Sequence, residues 1–122
     1  MKHPDMVKER IYKAIEIANT DPVGQKLAQK LGHGMLLVIV GDELEIPIQI
    51  CNGNLQIVDD SSHPKAVCRF SDAETAWAIL NKKLSPYAAT VHKQLDQYGL
   101  SPMNEIFEEI WNLAYNRADS SV

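Results

Sequence analysis

Residues 59–64, Asp-Asp-Ser-Ser-His-Pro, gather two carboxylates, two hydroxyls and an imidazole. Those are the ingredients of nucleophilic hydrolysis: a hydroxyl to attack, an imidazole to take its proton, a carboxylate to orient the imidazole. Working triads, however, are assembled from separate chain segments that hold the groups rigidly. Neighbours in one short polar loop lack that framework, and the stretch reads first as a solvated turn between strands. The other reactive side chains are scattered. His3, His33, His63 and His92 show no His-Glu-x-x-His or other close ligand spacing. Cys51 and Cys68 stand 17 residues apart, form no Cys-x-x-Cys, and read as two reduced thiols on strands. No glycine-rich phosphate loop occurs. Glu108 and Glu109 are adjacent on a helix, so they point about 100° apart and make no acid/base pair. Trp77 and Trp111 have the chemistry of stacking platforms, but core packing is the plainer reading. No catalytic motif emerges, the chain reads as non-enzymatic, and neither a metal nor a cofactor is expected.

Composition narrows the function further. The 122 residues favour one domain over 1–122, and 45% hydrophobic with 23% charged residues is an ordinary globular balance. Twelve basic against sixteen acidic residues give a net charge of −4, a poor lure for nucleic-acid phosphates. The longest apolar run, Met35 to Val40, is far too short to span a membrane and too deep in the chain for a signal peptide. The C-terminal Asp-Ser-Ser-Val is no peroxisomal address. Cytoplasmic residence is the default expectation.

The elements that must position any site fall into three blocks. Residues 1–33 read as two helices. The first is capped by Asp5, with Val7, Ile11, Ala14, Ile15 and Ala18 on one stripe. The second is opened by Asp21-Pro22, carries Val23, Leu27, Ala28 and Leu31, and ends at Gly32 and Gly34. Residues 34–70 read as a strand meander. Its first strand is an uninterrupted apolar run, as expected for burial on both faces. In the second, Ile46, Ile48 and Ile50 alternate with Pro47 and Gln49; Pro47 implies an edge, a bulge or an outward-facing backbone site. Asn52-Gly53 favours a type I′ hairpin turn, after which Leu55 and Ile57 return. Residues 65–70 make a fourth strand. Residues 71–118 read as helical. Ser71 and Glu74 suggest a capping box ahead of a face made by Ala73, Ala76, Trp77, Leu80 and Leu84. Ser85-Pro86 opens a helix with Ala88, Val91, Leu95 and Tyr98 inward as far as Gly99. Ser101-Pro102 opens the last, with Met103, Ile106, Phe107, Ile110, Leu113 and Ala114 on its apolar stripe and Glu105, Glu108 and Glu109 toward the other side. This order predicts an α+β domain with an antiparallel sheet and helices packed on one face. If Trp77 is core, Trp77→Ala costs about 3–5 kcal/mol.

What the sequence has in surplus is apolar surface: one oily sheet face, two tryptophans, and a last helix rich in Met, Ile and Phe. A lipid pocket needs only apolar walls and a shape. Alkyl burial contributes roughly 0.8 kcal/mol per CH₂, so a long acyl chain gains on the order of 10 kcal/mol before ordering and association costs.

The stretches "GMLLVIVGDELEIPIQICNGNLQIVDD" and "KAVCRFSDAETAWAILNKKLSPYAA", above all "FSDAETAWAILNKKLSP", follow one another in an order that resembles the sterol carrier protein 2 (SCP2) family over roughly residues 30–115. The resemblance implies an SCP2-like fold of about five strands, covered by N- and C-terminal helices, with an apolar tunnel between sheet and C-terminal helix. It implies non-catalytic binding of a fatty acid, acyl-CoA, sterol or isoprenoid-type molecule, with transient membrane contact. The tunnel floor would come from Ile46, Ile48, Ile50, Leu55 and Ile57, the lid from Met103, Ile106, Phe107 and Ile110, with Trp77 as a further wall. In one place the chain departs from the pattern. After its Leu-x-Pro step the family has a glycine-containing strand, whereas residues 87–103 read as helical here and offer only Gly99 for the turn. The fifth strand is thus implied by the resemblance and not by the residues. Two other function classes compete. One is a protein-interaction or regulatory module with a filled core that dimerises or docks a partner through its last helix. The other is an enzyme using the Asp60–His63 loop or a cysteine. Whether the Met103–Ala114 stripe packs on its own sheet separates the first of these from a carrier.

Overall fold

The apolar run at 35–40 forms the central strand of the sheet in a computed structural model that describes residues 3–99 and 101–120. Five strands, β1 (Gly34–Val40), β2 (Leu44–Cys51), β3 (Asn54–Ile57), β4 (Ala66–Phe70) and β5 (Leu95–Gly99), lie in the order β3-β2-β1-β4-β5. Among the described residues five helices accompany them: α1 (His3–Thr20), α2 (Pro22–Lys30), α3 (Ala73–Leu80), α4 (Pro86–Val91) and α5 (Ser101–Ser120). The expected α+β architecture, with its sheet under N- and C-terminal helices, is what the chain adopts.

Strand register puts the apolar residues on the helix side. Leu36 pairs with Ile48 and Ala66, and Val38 with Ile46 and Cys68. Ile50 and Ile48 pair with Leu55 and Ile57. Met35 and Leu37 are buried on the opposite face, so β1 is covered on both sides as its continuous apolar run requires. The sheet is not wholly antiparallel. β4 pairs with β1, and in parallel. The meander therefore ends at β3. The link 58–65 leaves β3 level with Ile48 and enters β4 level with Leu36, so it has to cross β2 and β1. Val58 N–H donates to Pro47 O (3.1 Å) and Lys65 N–H to Met35 O (2.9 Å), fixing both ends of that crossing. Pro47 sits in an inner strand without loss, because its backbone faces the chain just past Ile57, where β3 has already ended.

The helical reading of 85–98 is corrected. α4 is a six-residue helix, opened by Ser85 Oγ accepting from Ala88 N–H (3.0 Å) and finished at His92. Val91 and Tyr98 are exposed, and Leu95 is buried on β5, where it pairs with Phe70. The apolar spacing was compatible with a helix, but the open edge of β4 takes this segment as a strand, and tertiary pairing overrides a weak local preference. Two caps also shift. α3 is capped by Asp72, whose carboxylate accepts from Thr75 N–H (2.7 Å), one residue later than the Ser71–Glu74 box. α1 already runs from His3, which leaves Asp5 within its first turn. At α2 the expected cap holds: Asp21 accepts from Val23 and Gly24 N–H, and Pro22 follows.

The two cysteines are free, Cys51 exposed at the end of β2 and Cys68 buried on β4, with β1 between them. Burial pushes the Cys68 thiol up to about 12, with Gln97 opposing weakly. A thiol reagent added to folded protein should therefore modify one cysteine, Cys51, and reach the second only in denaturant. Two rapid equivalents would mean that β4 is not covered.

Candidate functional site

Most residues expected to wall an apolar site are brought into one continuous buried cluster. Ile46, Ile48, Ile50 and Leu55 are buried on β2 and β3, and Ile57 is packed at the cluster's edge. Met103, Phe107 and Ile110 are buried on the inner side of α5, with Ile106 partly so. The two groups do not simply face each other. α5 packs over β4 and β5 and against α1 and α2, whereas α1 packs over β3. The sheet residues nearest α5 thus include Phe70, which stacks obliquely on Trp111 at 5.5 Å between centroids. Phe107 meets the same indole edge-on at 5.4 Å. Phe70, Leu95 and Trp111 join the buried cluster beside the expected wall residues. The spacing 103, 107, 110, 111, 114 carried the signal for Trp111.

Among the described residues, Asn104 Oδ1 and Trp111 Nε1 on α5 are buried with no hydrogen-bond partner. Asn104 uses only its amide, donating from Nδ2 to Tyr98 O at 3.3 Å. A buried polar group left unpaired costs about 1–3 kcal/mol, so the α5 seam is apolar but incompletely satisfied.

No protein-family model matches this sequence, and no curated protein sequence matches it. Solved structures do match in three dimensions. The UbiJ-SCP2 ubiquinone synthesis protein is 12% identical and superposes with a TM-score of 0.70, covering 91% of this chain and 96% of that one. Sterol carrier protein domain 2 of Helicoverpa armigera is 14% identical, with a TM-score of 0.65 over 88% of this chain and 89% of its own. Palmitated SCP2L2 from Aedes aegypti is 15% identical, with a TM-score of 0.59 over 91% and 93%. The fold is that of the SCP2 domains. Strand β5, which the resemblance implied and the local pattern did not, is present.

Within this SCP2 fold the remaining candidates lie apart from the α5 seam. Trp77 is half-buried between α1 and α3. The Arg10 guanidinium lies 5.2 Å above its ring and donates to Asn81 Oδ1 (2.8 Å). The expectation for a core tryptophan is lowered accordingly. Trp77→Ala should cost about 1–3 kcal/mol in chemical denaturation, from partial burial and the cation–π contact. The Asp-Ser-His loop is not a triad. Asp60 accepts from Ser62 N–H (3.0 Å) and Ser62 Oγ–H (2.7 Å), which holds its carboxyl below the usual range and closes an exposed local turn. Among the described residues no cluster of three metal-ligating side chains exists. No described helix is long and apolar enough to cross a membrane.

A groove of about 270 Å³ opens where the α3–α4 turn meets α5. Ile79, Leu84, Pro86 and Trp111 supply its apolar lining, and Lys82, Lys83 and Glu108 its charges. A second concavity of about 260 Å³ lies at the outer edge of β2 and includes Ile46, Ile57 and Tyr12. Both are smaller than the space a whole drug-sized ligand fills, roughly 300–1,000 Å³. Glu108 is half-buried, and desolvation, then Glu105 and Glu109, raise its carboxyl above the usual range. A raised carboxyl favours the folded state at low pH and loses that advantage as pH rises through its folded value. Glu108→Gln should therefore raise the unfolding midpoint slightly at pH 7, with the gain vanishing toward pH 4. Solvent screening keeps the effect to a few tenths of a kcal/mol.

Proposed function

We propose that this chain binds and carries an apolar, long-chain molecule in the seam between α5 and the sheet, without transforming it. The observation that carries the reading is the match to SCP2 domains over 91% of this chain, one of them palmitated. The ligand class is a fatty acid, acyl-CoA, sterol or isoprenoid-type molecule. Its walls are Met103, Ile106, Phe107 and Ile110 on α5, with Ile46, Ile48, Ile50, Leu55 and Ile57 continuing the apolar surface across the sheet. Trp77 stays a wall only at the α1–α3 edge. These side chains are close-packed, so entry requires α5 to shift outward. The unpaired Asn104 and Trp111 atoms support that reading, because the seam's present packing leaves two polar groups without partners.

Met103, Phe107, Ile110 and Ala114 of the α5 stripe are buried within the chain, and Ile106 and Leu113 partly so, which leaves an interaction module through α5 as the competing reading. The deciding experiment is a native mass spectrum of gently purified protein, followed by solvent extraction of any adduct. A stoichiometric apolar adduct, or uptake of palmitate or an acyl-CoA by clean protein, is the expected result. A clean mass that stays clean after those additions would end the carrier reading and favour an interaction module with a filled core.

A further inference from the structure

The exposed apolar side chains are not evenly placed. Tyr87, at 80% exposure, and Val91, at 58%, stand one turn apart on α4. They share one side of a short helix and have no intramolecular partner surface to bury them. The chain around them is electrostatically unlike the rest. From Thr75 to Leu95 it contains Lys82, Lys83 and Lys93 and none of the protein's sixteen acidic residues. A chain of net charge −4 thus carries a locally cationic segment, with all three lysines exposed. The segment also borders the groove beneath the α3–α4 turn. Lys82, Lys83, Ser85 and Pro86 line that groove, and Tyr87 follows directly. Glu108, from α5, is the one acid among its lining residues.

We propose that the α4 face is the surface by which this protein docks on an anionic lipid bilayer, with Tyr87 and Val91 entering the interface and Lys82, Lys83 and Lys93 meeting the headgroups. A tyrosine beside an aliphatic residue suits the headgroup level, where an apolar body and a polar tip are both accommodated. Lysines near an anionic leaflet add attraction that decays within a Debye length. Singly exposed apolar residues need no explanation, but an exposed apolar pair flanked along the chain by lysines, next to a groove, fits this partner. The proposal deepens the carrier reading, since the groove then faces the membrane from which an apolar molecule comes. It rests on that reading only for the delivery step.

The test is co-sedimentation of the full chain with vesicles of equal parts phosphatidylglycerol and phosphatidylcholine, and with pure phosphatidylcholine. Binding to the anionic vesicles at low salt, and its loss at high salt, is expected. Tyr87→Ser with Val91→Ser, and separately Lys83→Gln with Lys93→Gln, should each weaken it about tenfold or more, with unfolding midpoints unchanged; Lys82 is left in place because its ammonium lies 5.2 Å over the Tyr115 ring. Tyr12→Ser with Val23→Ser, exposed apolar residues elsewhere, should leave it intact. Absence of binding, equal binding to neutral vesicles, or binding indifferent to the α4 variants would overturn the docking surface, even in a preparation that carries an apolar adduct. Docking by protein that never takes up palmitate would instead remove the carrier reading and leave the surface standing.

Discussion

Phe107→Ala should lower the stability of this protein by about 3–5 kcal/mol, read as a lower denaturant midpoint at unchanged slope. Phe107 is 1% exposed and holds the centre of the α5 stripe. Its removal deletes a buried aromatic, leaves a void that the rigid sheet cannot close, and strips the edge-on contact from Trp111, itself worth about 0.5–1.5 kcal/mol. The carrier reading adds a second expectation. The void is apolar and lies in the proposed seam, so palmitate should restore part of the lost stability in proportion to its concentration, as any ligand of the native state does. A cost below about 1 kcal/mol would mean that α5 is not seated on β4 and β5. A full cost with no rescue by any acyl chain would leave Phe107 as ordinary core.

How far the fold could be read before it was seen depended on whether local chemistry and long-range pairing agreed. In α1 they agreed: Val7, Ile11, Ala14, Ile15 and Ala18 recur at helical spacing, and all are buried. In the hairpin they agreed again, because Asn52-Gly53 specifies the turn that brings Leu55 opposite Ile50. They parted at β4 and β5. Nothing in residues 65–70 says that the strand pairs with β1 and not with β3, since a parallel crossing is fixed by the whole sheet and not by its own sequence. At 86–99, Ala88, Val91 and Leu95 fit a helix by spacing, and only the free edge of β4 makes a strand of Leu95–Gly99.

Burial of the proposed wall positions was legible to the same extent. The periodicity that buries a stripe found Met103, Phe107 and Ile110, because a wall residue and a core residue obey one pattern. That pattern does not say which strand lies beneath. It therefore does not place Phe70 and Leu95 beneath α5, which follows from strand order. Trp77 is less buried than its helix face suggests, for a related reason. Its helix face is apolar, but the half-buried α1–α3 edge and the Arg10 guanidinium over its ring are tertiary facts. The α4 patch was invisible as a pattern, since exposure of Tyr87 and Val91 follows from α4 ending early.

Gly99→Ala should cost about 3 kcal/mol or more, from two separable causes. Gly99 has φ +88, a conformation a side chain adopts only under strain of order 1–3 kcal/mol. An added Cβ would also collide with Lys65 O and stand 2.8 Å from Ala66 Cα, both backbone atoms that no rotamer change can move. Gly32 provides the control. Its φ is +77, with nothing within 4 Å of an added Cβ, so Gly32→Ala should carry backbone strain of about 1 kcal/mol alone. The difference between the two variants measures the contact of β5 with β4. It also bears on the site, because Gly99 pairs with Ala66 only two residues before α5 begins at Ser101. Forcing that pair apart should lift Met103 and the first turn of α5 from the sheet. Hydrogen exchange in Gly99→Ala should then accelerate through β5 and early α5 while β1–β2 stays protected. Equal costs for the two variants, with β5 exchange unchanged, would mean that β5 does not hold the base of α5.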